Sequence, residues 1–321
     1  MNRQILFPLT SYASDTILPY DSISEVLENY YAQRSLYTRM RQKSVDLRKI
    51  VSTHLERSSK KLDLQLKQLK DTEKRDKFKV YGELLNTYGY QVTEGAKSVE
   101  VPNYYTGEML TIPLDETLSP LDNAKKYFAR YNKLKRTFEA LNTQTEETRT
   151  EIAHLQTIQA ALAIAESEDD LSQIRDELET YGYIRRKMNG KKKQKSKSKP
   201  FHYRSSDGFD IYVGKNNFQN DELTFKVANG NDWWFHAKGM PGSHVIVKTE
   251  GRELPDRTFE EAGRLAGYYS SGRDNEKIEI DYLQRKNVKK PNGAVAGYVI
   301  YYTNYSLTIH PDISGIEKIS E

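Results

Sequence analysis

Two short runs in this chain hold the residue types that could do chemistry. One is Asp232-Trp233-Trp234-Phe235-His236-Ala237-Lys238-Gly239-Met240-Pro241-Gly242-Ser243-His244. The other is Asp281-Tyr282-Leu283-Gln284-Arg285-Lys286-Asn287-Val288-Lys289-Lys290-Pro291. Both tryptophans of the protein fall in the first run, beside two histidines and a lysine. Indole and phenol faces stack on nucleobases, and neighbouring ammonium groups neutralise phosphate. The chemistry expected of these runs is RNA contact.

Other chemistries fit less well. His236, His244 and Asp232 offer metal-ligating atoms, but their spacing matches no zinc signature. Ser243 and His244 are neighbours, so on a strand they point to opposite faces and do not form a nucleophile–base pair. The glycines Gly239, Gly293 and Gly297 do not make a phosphate-cradling loop. No catalytic residue, cofactor or metal is expected, and the chain reads as a binding protein rather than an enzyme. The candidate nucleic-acid contacts are Lys215, Asn216, Asn217, Trp233, Trp234, His236, Lys238, Lys286, Lys289 and Lys290. Adjacent tryptophans on a strand face opposite ways, so one belongs to the core and the other can serve as a stacking platform. Tyr301, Tyr302 and Tyr305 extend such a surface wherever alternation turns them outward. Each candidate has a plainer reading: a turn for Lys215–Asn217, a solvated face for the lysines, a structural hydrogen bond for the histidines.

The elements that position these residues follow from composition and period. The 321 residues suffice for two domains. The absence of cysteine removes disulfides and thiol chemistry. A net charge of +4 means that any basic surface is local. No apolar run is long enough to cross a membrane, and Met1 leads into Gln4–Pro8 without a secretory leader's apolar core. A cytoplasmic protein is expected.

Residues 1–20 precede the first helical pattern. From Asp21, with Ser22 or Ser24 as cap, Met40, Leu47, Val51, Leu55, Leu62, Leu66 and Leu69 recur at steps of three, four and seven. A second seam follows Ser119-Pro120: Phe128, Tyr131, Leu134, Phe138, Leu141, Thr148, Ile152, Leu155 and Leu162. Neither seam can be buried alone, which predicts a long antiparallel coiled-coil hairpin over 21–184. The stretch 81–118 has a different texture, with Val99–Pro102 and Met109–Pro113 extended around Tyr104 and Tyr105. It reads as a small globular tip. A helix over 169–181 stops at Gly182. Residues 185–200 form a basic linker. From Phe201, strands are expected at 209–213, 233–237, 244–248, 278–282 and 298–302, with helices at 221–228 and from Asp256 to about Ser271. The fold class is α+β, with the mixed domain over 201–321.

Three segments of the mixed domain carry a resemblance: Tyr212-Val213-Gly214-Lys215-Asn216-Asn217-Phe218-Gln219-Asn220-Asp221, the run from Asp232 to His244, and the run from Asp281 to Pro291 with Gly297–Tyr301 after it. They resemble the RNA-binding (NFACT-R) domain of the NFACT family. Tyr81–Leu85, Val99–Tyr105 and Leu118–Phe128 are similar to the coiled-coil middle segment of bacterial members. The chain looks like the C-terminal half of such a protein, with Phe7-Pro8-Leu9-Thr10 as a remnant of the preceding domain.

The resemblance implies a part in ribosome-associated quality control. Family members bind the large ribosomal subunit and tRNA while a stalled nascent chain receives an untemplated alanine tail, and the ribosome itself forms the peptide bonds. The arm's tip, with Tyr104 and Tyr105, would contact the stalk base, and the C-terminal domain would contact rRNA. The resemblance also implies an alternative: a fibronectin-binding adhesin displayed on a Gram-positive cell surface by non-classical export.

Overall fold

The computed structural model describes residues 22–185 and 198–319. The expected remnant at 1–20 and most of the basic linker lie outside the described residues. The described chain is mixed helix and antiparallel sheet and divides into two compact units, 1–55 with 153–321 and 56–152.

Two long helices supply residues to both units: α1, Ile23–Thr72, and α3, Pro120–Ile164. Ser22 Oγ accepts from Glu25 N at 3.2 Å at the start of α1, and Ser119 Oγ accepts from Asp122 N at 3.1 Å ahead of Pro120. The least exposed positions of α1 from Val51 on are Val51, Leu55, Ser58, Leu62, Gln65, Leu69 and Thr72, alternating steps of four and three. On α3 the same alternation runs through Tyr131, Leu134, Phe138, Leu141, Thr145, Thr148, Ile152 and Leu155. Ser58, Thr72 and Thr145 join the predicted residues on these stripes, and Leu66 drops out of them, 37% exposed with Gln65 buried in its place. A strict heptad outranks side-chain polarity here, because position 66 lies one residue off the stripe.

In the unit 56–152, α2 (Arg75–Tyr88) packs with the start of α3 and a two-stranded ribbon, β1 (Ser98–Pro102) and β2 (Met109–Pro113). Val101 pairs with Leu110 in the ribbon. Tyr81, Leu84, Leu85, Val101, Ile112 and Ala124 form its core. A Cβ on Gly82 would sit 2.9 Å from the Phe128 ring, so only glycine admits that ring.

In the other unit, Leu47 and Val51 of α1 share a core with Leu155, Ile158 and Leu162 of α3 and with α4, Glu168–Thr180. Ser167 and Asp170 make a capping box at the start of α4, and Gly182 ends it at φ +79°. The rest is a seven-stranded antiparallel sheet in the order β8-β7-β5-β6-β4-β3-β9. Its strands are β3 (Phe201–Arg204), β4 (Asp210–Val213), β5 (Trp233–Ala237), β6 (Val245–Val247), β7 (Ile278–Gln284), β8 (Tyr305–Ile309) and β9 (Glu317–Lys318). Helix α6, Asp256–Tyr268, covers one face over Phe235, Val245, Val247 and Ile280. The other face is covered by α5 (Asn217–Glu222), the π-helical turn Leu223–Val227 that continues it, and the segment after β7. Both faces are covered, which is why β6 is buried at all three positions.

The edge strand lies at Tyr305–Ile309 rather than at 298–302. In the predicted segment only Ile300 makes a strand-like bridge, to Lys289.

Candidate nucleic-acid interface

Strands β5 and β7 pair in register, Trp233 with Gln284, Phe235 with Tyr282 and His236 with Asp281. This pairing sets side by side the two runs that carry the aromatic and basic residues. Alternation then divides them between the faces.

Trp234 faces the α5 side and is fully buried. Its ring stacks on His236 at 5.6 Å and meets His244 at 5.1 Å and Tyr301 at 5.3 Å. It is therefore the core member of the tryptophan pair and not a stacking platform. Trp233 faces α6 and is partly exposed, with its ring 4.8 Å from Phe259.

His244 is buried and the partly exposed His236 meets it edge-on, ring centroids 5.6 Å apart. Burial pushes His236 down to about 4 and drives His244 well below the ordinary histidine range, with the neighbouring His236 adding to the effect. Both are neutral at physiological pH, so His236 supplies no cation to RNA. His244 Nδ1 pairs with Thr224 Oγ1 at 2.8 Å, and His244 N donates to Asn220 Oδ1 at 3.0 Å. Asp232 stands apart from the histidines, its carboxylate held by Lys248 Nζ, Thr249 N and Asn229 N. Burial works against that charge, yet these donors keep it below the usual carboxylate range. Asp281 is buried and accepts from Tyr301, Asn304 and Ser306 at 2.7–2.8 Å, which fastens the segment after β7 to the sheet.

Asn216 and Asn217 are buried and Lys215 is partly buried, and all three are engaged within the protein. Asn216 is the N-cap of α5, accepting from Gln219 N at 3.0 Å, while its amide donates to Gln173 at 2.7 Å. Asn217 Nδ2 lies 2.7 Å from both Thr157 Oγ1 and Glu177 Oε1. Glu177 is fully buried and also pairs with His154 at 3.0 Å. Lys215 lies 3.3 Å from Asp170 and over the Phe201 ring. Two asparagines at 2% exposure donate their side-chain amides to residues of α3 and α4. The motif joins the sheet to the helices. Sequence alone missed this network because His154, Thr157 and Glu177 sit inside ordinary helical periodicity.

The cations divide as well. Lys238 is exposed and pairs with Glu279 at 3.3 Å, and Lys290 is bound to Asp221. Lys286 and Lys289 are exposed and make no ion pair among the described residues. In the other unit Tyr104 and Tyr105 are 49% and 58% exposed on the turn of the β1–β2 ribbon, and Tyr105 donates to Glu83 at 2.7 Å.

Residues 3–197 match the NFACT N-terminal and middle domains, and residues 199–301 match the NFACT protein RNA binding domain. The chain belongs to the NFACT family. It is 39% identical over 301 residues to the Rqc2 homolog RqcH of Streptococcus suis, covering 94% of this chain and 54% of that protein. It is 36% identical over 306 residues to the Rqc2 homolog RqcH of Bacillus subtilis, covering 94% and 53%. The chain thus spans about half the length of the curated relatives it matches. Its fold is similar to the C-terminal region of the fibronectin/fibrinogen-binding protein from Streptococcus suis, with a TM-score of 0.68 and 33% identity over 88% of this chain and all of that one. Within this NFACT chain the part matching the RNA binding domain contains β3 to β7, Trp233, Lys286 and Lys289. Among the described residues no helix is long and apolar enough to cross a membrane.

Proposed function

We propose that this chain is part of a ribosome-associated quality control factor that binds the large ribosomal subunit and tRNA while stalled nascent chains receive an untemplated alanine tail. The observation that carries the reading is similarity to RqcH proteins along 94% of the chain, together with the match of residues 199–301 to an RNA binding domain. The chain acts by binding in the cytoplasm, and the ribosome supplies the peptidyl-transfer chemistry. Residues 21–184 act as a coiled-coil hairpin. The three-and-four stripes on α1 and α3 support that pairing. Residues 81–118 act as its tip, with the exposed Tyr104 and Tyr105 suited to a protein contact at the stalk base. Residues 201–321 contact rRNA, with Lys286 and Lys289 on phosphate.

The test is to tag the whole protein in its cells, crosslink and purify it. Recovery of large-subunit rRNA and tRNA is expected, with recovery reduced when residues 88–115 are replaced by a short turn. Purification free of both RNAs would overturn the reading. The named fibronectin/fibrinogen-binding neighbour favours a second reading, surface adhesion. The two differ in salt response. RNA binding falls steeply with ionic strength through counterion release, whereas an apolar protein interface is much less sensitive.

A further inference from the structure

On the α6 face, at the edge of the core, four aromatic rings form a graded row. Phe235 is fully buried and stacks on Tyr282 at 5.5 Å and 15°. Tyr282 is partly exposed and stacks on Tyr305 at 5.5 Å and 28°. Tyr305, opposite Tyr282 on edge strand β8, is 64% exposed. Trp233 leans over the row, 5.8 Å from Tyr282 and 6.3 Å from Tyr305, braced edge-on by Phe259. We infer that Trp233, Tyr282 and Tyr305 are a stacking shelf for unpaired RNA nucleotides. The inference rests on the RNA-binding reading above and adds where the bases sit and that they are not base-paired.

Three observations support the shelf over a mere rim of the core. The fold does not need an aromatic ring at position 305, where most of the side chain is in water. The indole N–H of Trp233 and the hydroxyls of Tyr282 and Tyr305 have no protein partner among the described residues, so they remain available to base edges. Most neighbouring cations are already engaged, Arg257 of α6 with Glu261 at 3.4 Å among them. Arg285 is spent on Thr224 O and the Phe225 ring, and Lys248 on Asp232. Lys286 follows directly, exposed and without an ion pair, and its Cβ packs over Gly230, three residues before Trp233. On the other side Asp256, at the start of α6, lies close enough to Tyr282 to add to the upward push that burial gives its hydroxyl. A phosphate backbone therefore leaves the shelf toward Lys286 and not across α6. A duplex hides its base faces within its own stack, so the ligand with matching chemistry is single-stranded or looped.

The two tryptophans make the test direct, since Trp233 is partly exposed and Trp234 fully buried. The full chain is titrated with an oligoadenylate dodecamer, and separately with a blunt RNA duplex of the same length, following tryptophan emission and affinity. The single strand is expected to quench emission, and Trp233→Phe is expected to abolish the quench. Tyr305→Ala should weaken single-strand binding about tenfold while leaving duplex affinity and the salt slope unchanged. Unaltered duplex affinity also reports that the variant is folded. An unchanged single-strand affinity for Tyr305→Ala, or a quench that survives Trp233→Phe, overturns the shelf. Binding of the duplex alone removes the shelf but leaves the RNA-binding reading intact. Binding of neither RNA removes both.

Discussion

Asn217 is held by Glu177, which is fully buried, and by the partly buried Thr157. Its amide spans Thr157 and Glu177, and the second carboxylate oxygen of Glu177 is already buried without a partner among the described residues. Asn217→Ala should cost about 2–3 kcal/mol, the usual penalty for stranding a buried charged acceptor, measured as a lower denaturant midpoint. RNA affinity of the folded variant should stay the same, because position 217 does not face solvent. The histidines give a pH dependence with a definite sign. His236 and His244 are held neutral in the fold, whereas unfolded imidazoles titrate near 6.5. Below that pH the unfolded chain binds more protons than the folded one. The contribution to stability is therefore complete above about pH 6.5 and is lost as pH falls toward the folded value, about 4 for His236. Tm should decline across this window, and a flat Tm from neutral pH to pH 5 would count against the neutral assignment.

At the scale of elements, two glycines one turn apart let α6 sit against β8. A Cβ on Gly267 would come within 2.7 Å of Ile309 Cδ1, and one on Gly263 within 2.9 Å of Leu307 Cδ1. Both would press on β8. Gly267→Ala should therefore destabilise by ~1–3 kcal/mol despite alanine's better helix propensity, and a raised Tm would contradict the packing. The elements also mark what the sequence discloses. Strands β4 to β7, α6, the ribbon strands and the caps Ser22, Ser119 and Gly182 follow from period and end signals, which are local. The edge strand was not legible. Tyr298–Tyr302 alternates as well as Tyr305–Ile309 does, and the choice between them depends on Asp281, far away in the chain, binding Tyr301, Asn304 and Ser306. The burial of Asn216 and Asn217 was not legible for a similar reason. An exposed polar turn and a buried helix cap have the same composition, and only the acceptors on α3 and α4 tell them apart. Tyr282 went unassigned, and Tyr305 was one of three tyrosines open to a stacking role, because their shared row comes from strand pairing rather than sequence distance.

For the whole molecule, the small net charge of +4 conceals which cations are available. Most candidate lysines are already neutralised by a carboxylate, and Lys286 and Lys289 are not. Replacing these two by alanine should reduce the salt slope of RNA binding by about 2 and leave Tm nearly unchanged. The same pair of changes at Lys238 and Lys290 should do much less, and equal effects would mean that only overall charge matters. The junction between the sheet and the ends of α3 and α4 has a further consequence. It is built largely of amides, carboxylates and hydroxyls, with Ser198, Gln173 and Gln219 sharing bonds alongside Asn216 and Asn217. Surfaces of that kind are wetted when they part, and Ile164 is the apolar residue of α3 that packs against the sheet core there. Low denaturant should accordingly release the sheet from these helices and let it return on dilution without any rise in light scattering. The protein would then carry a joint that can open repeatedly without fouling.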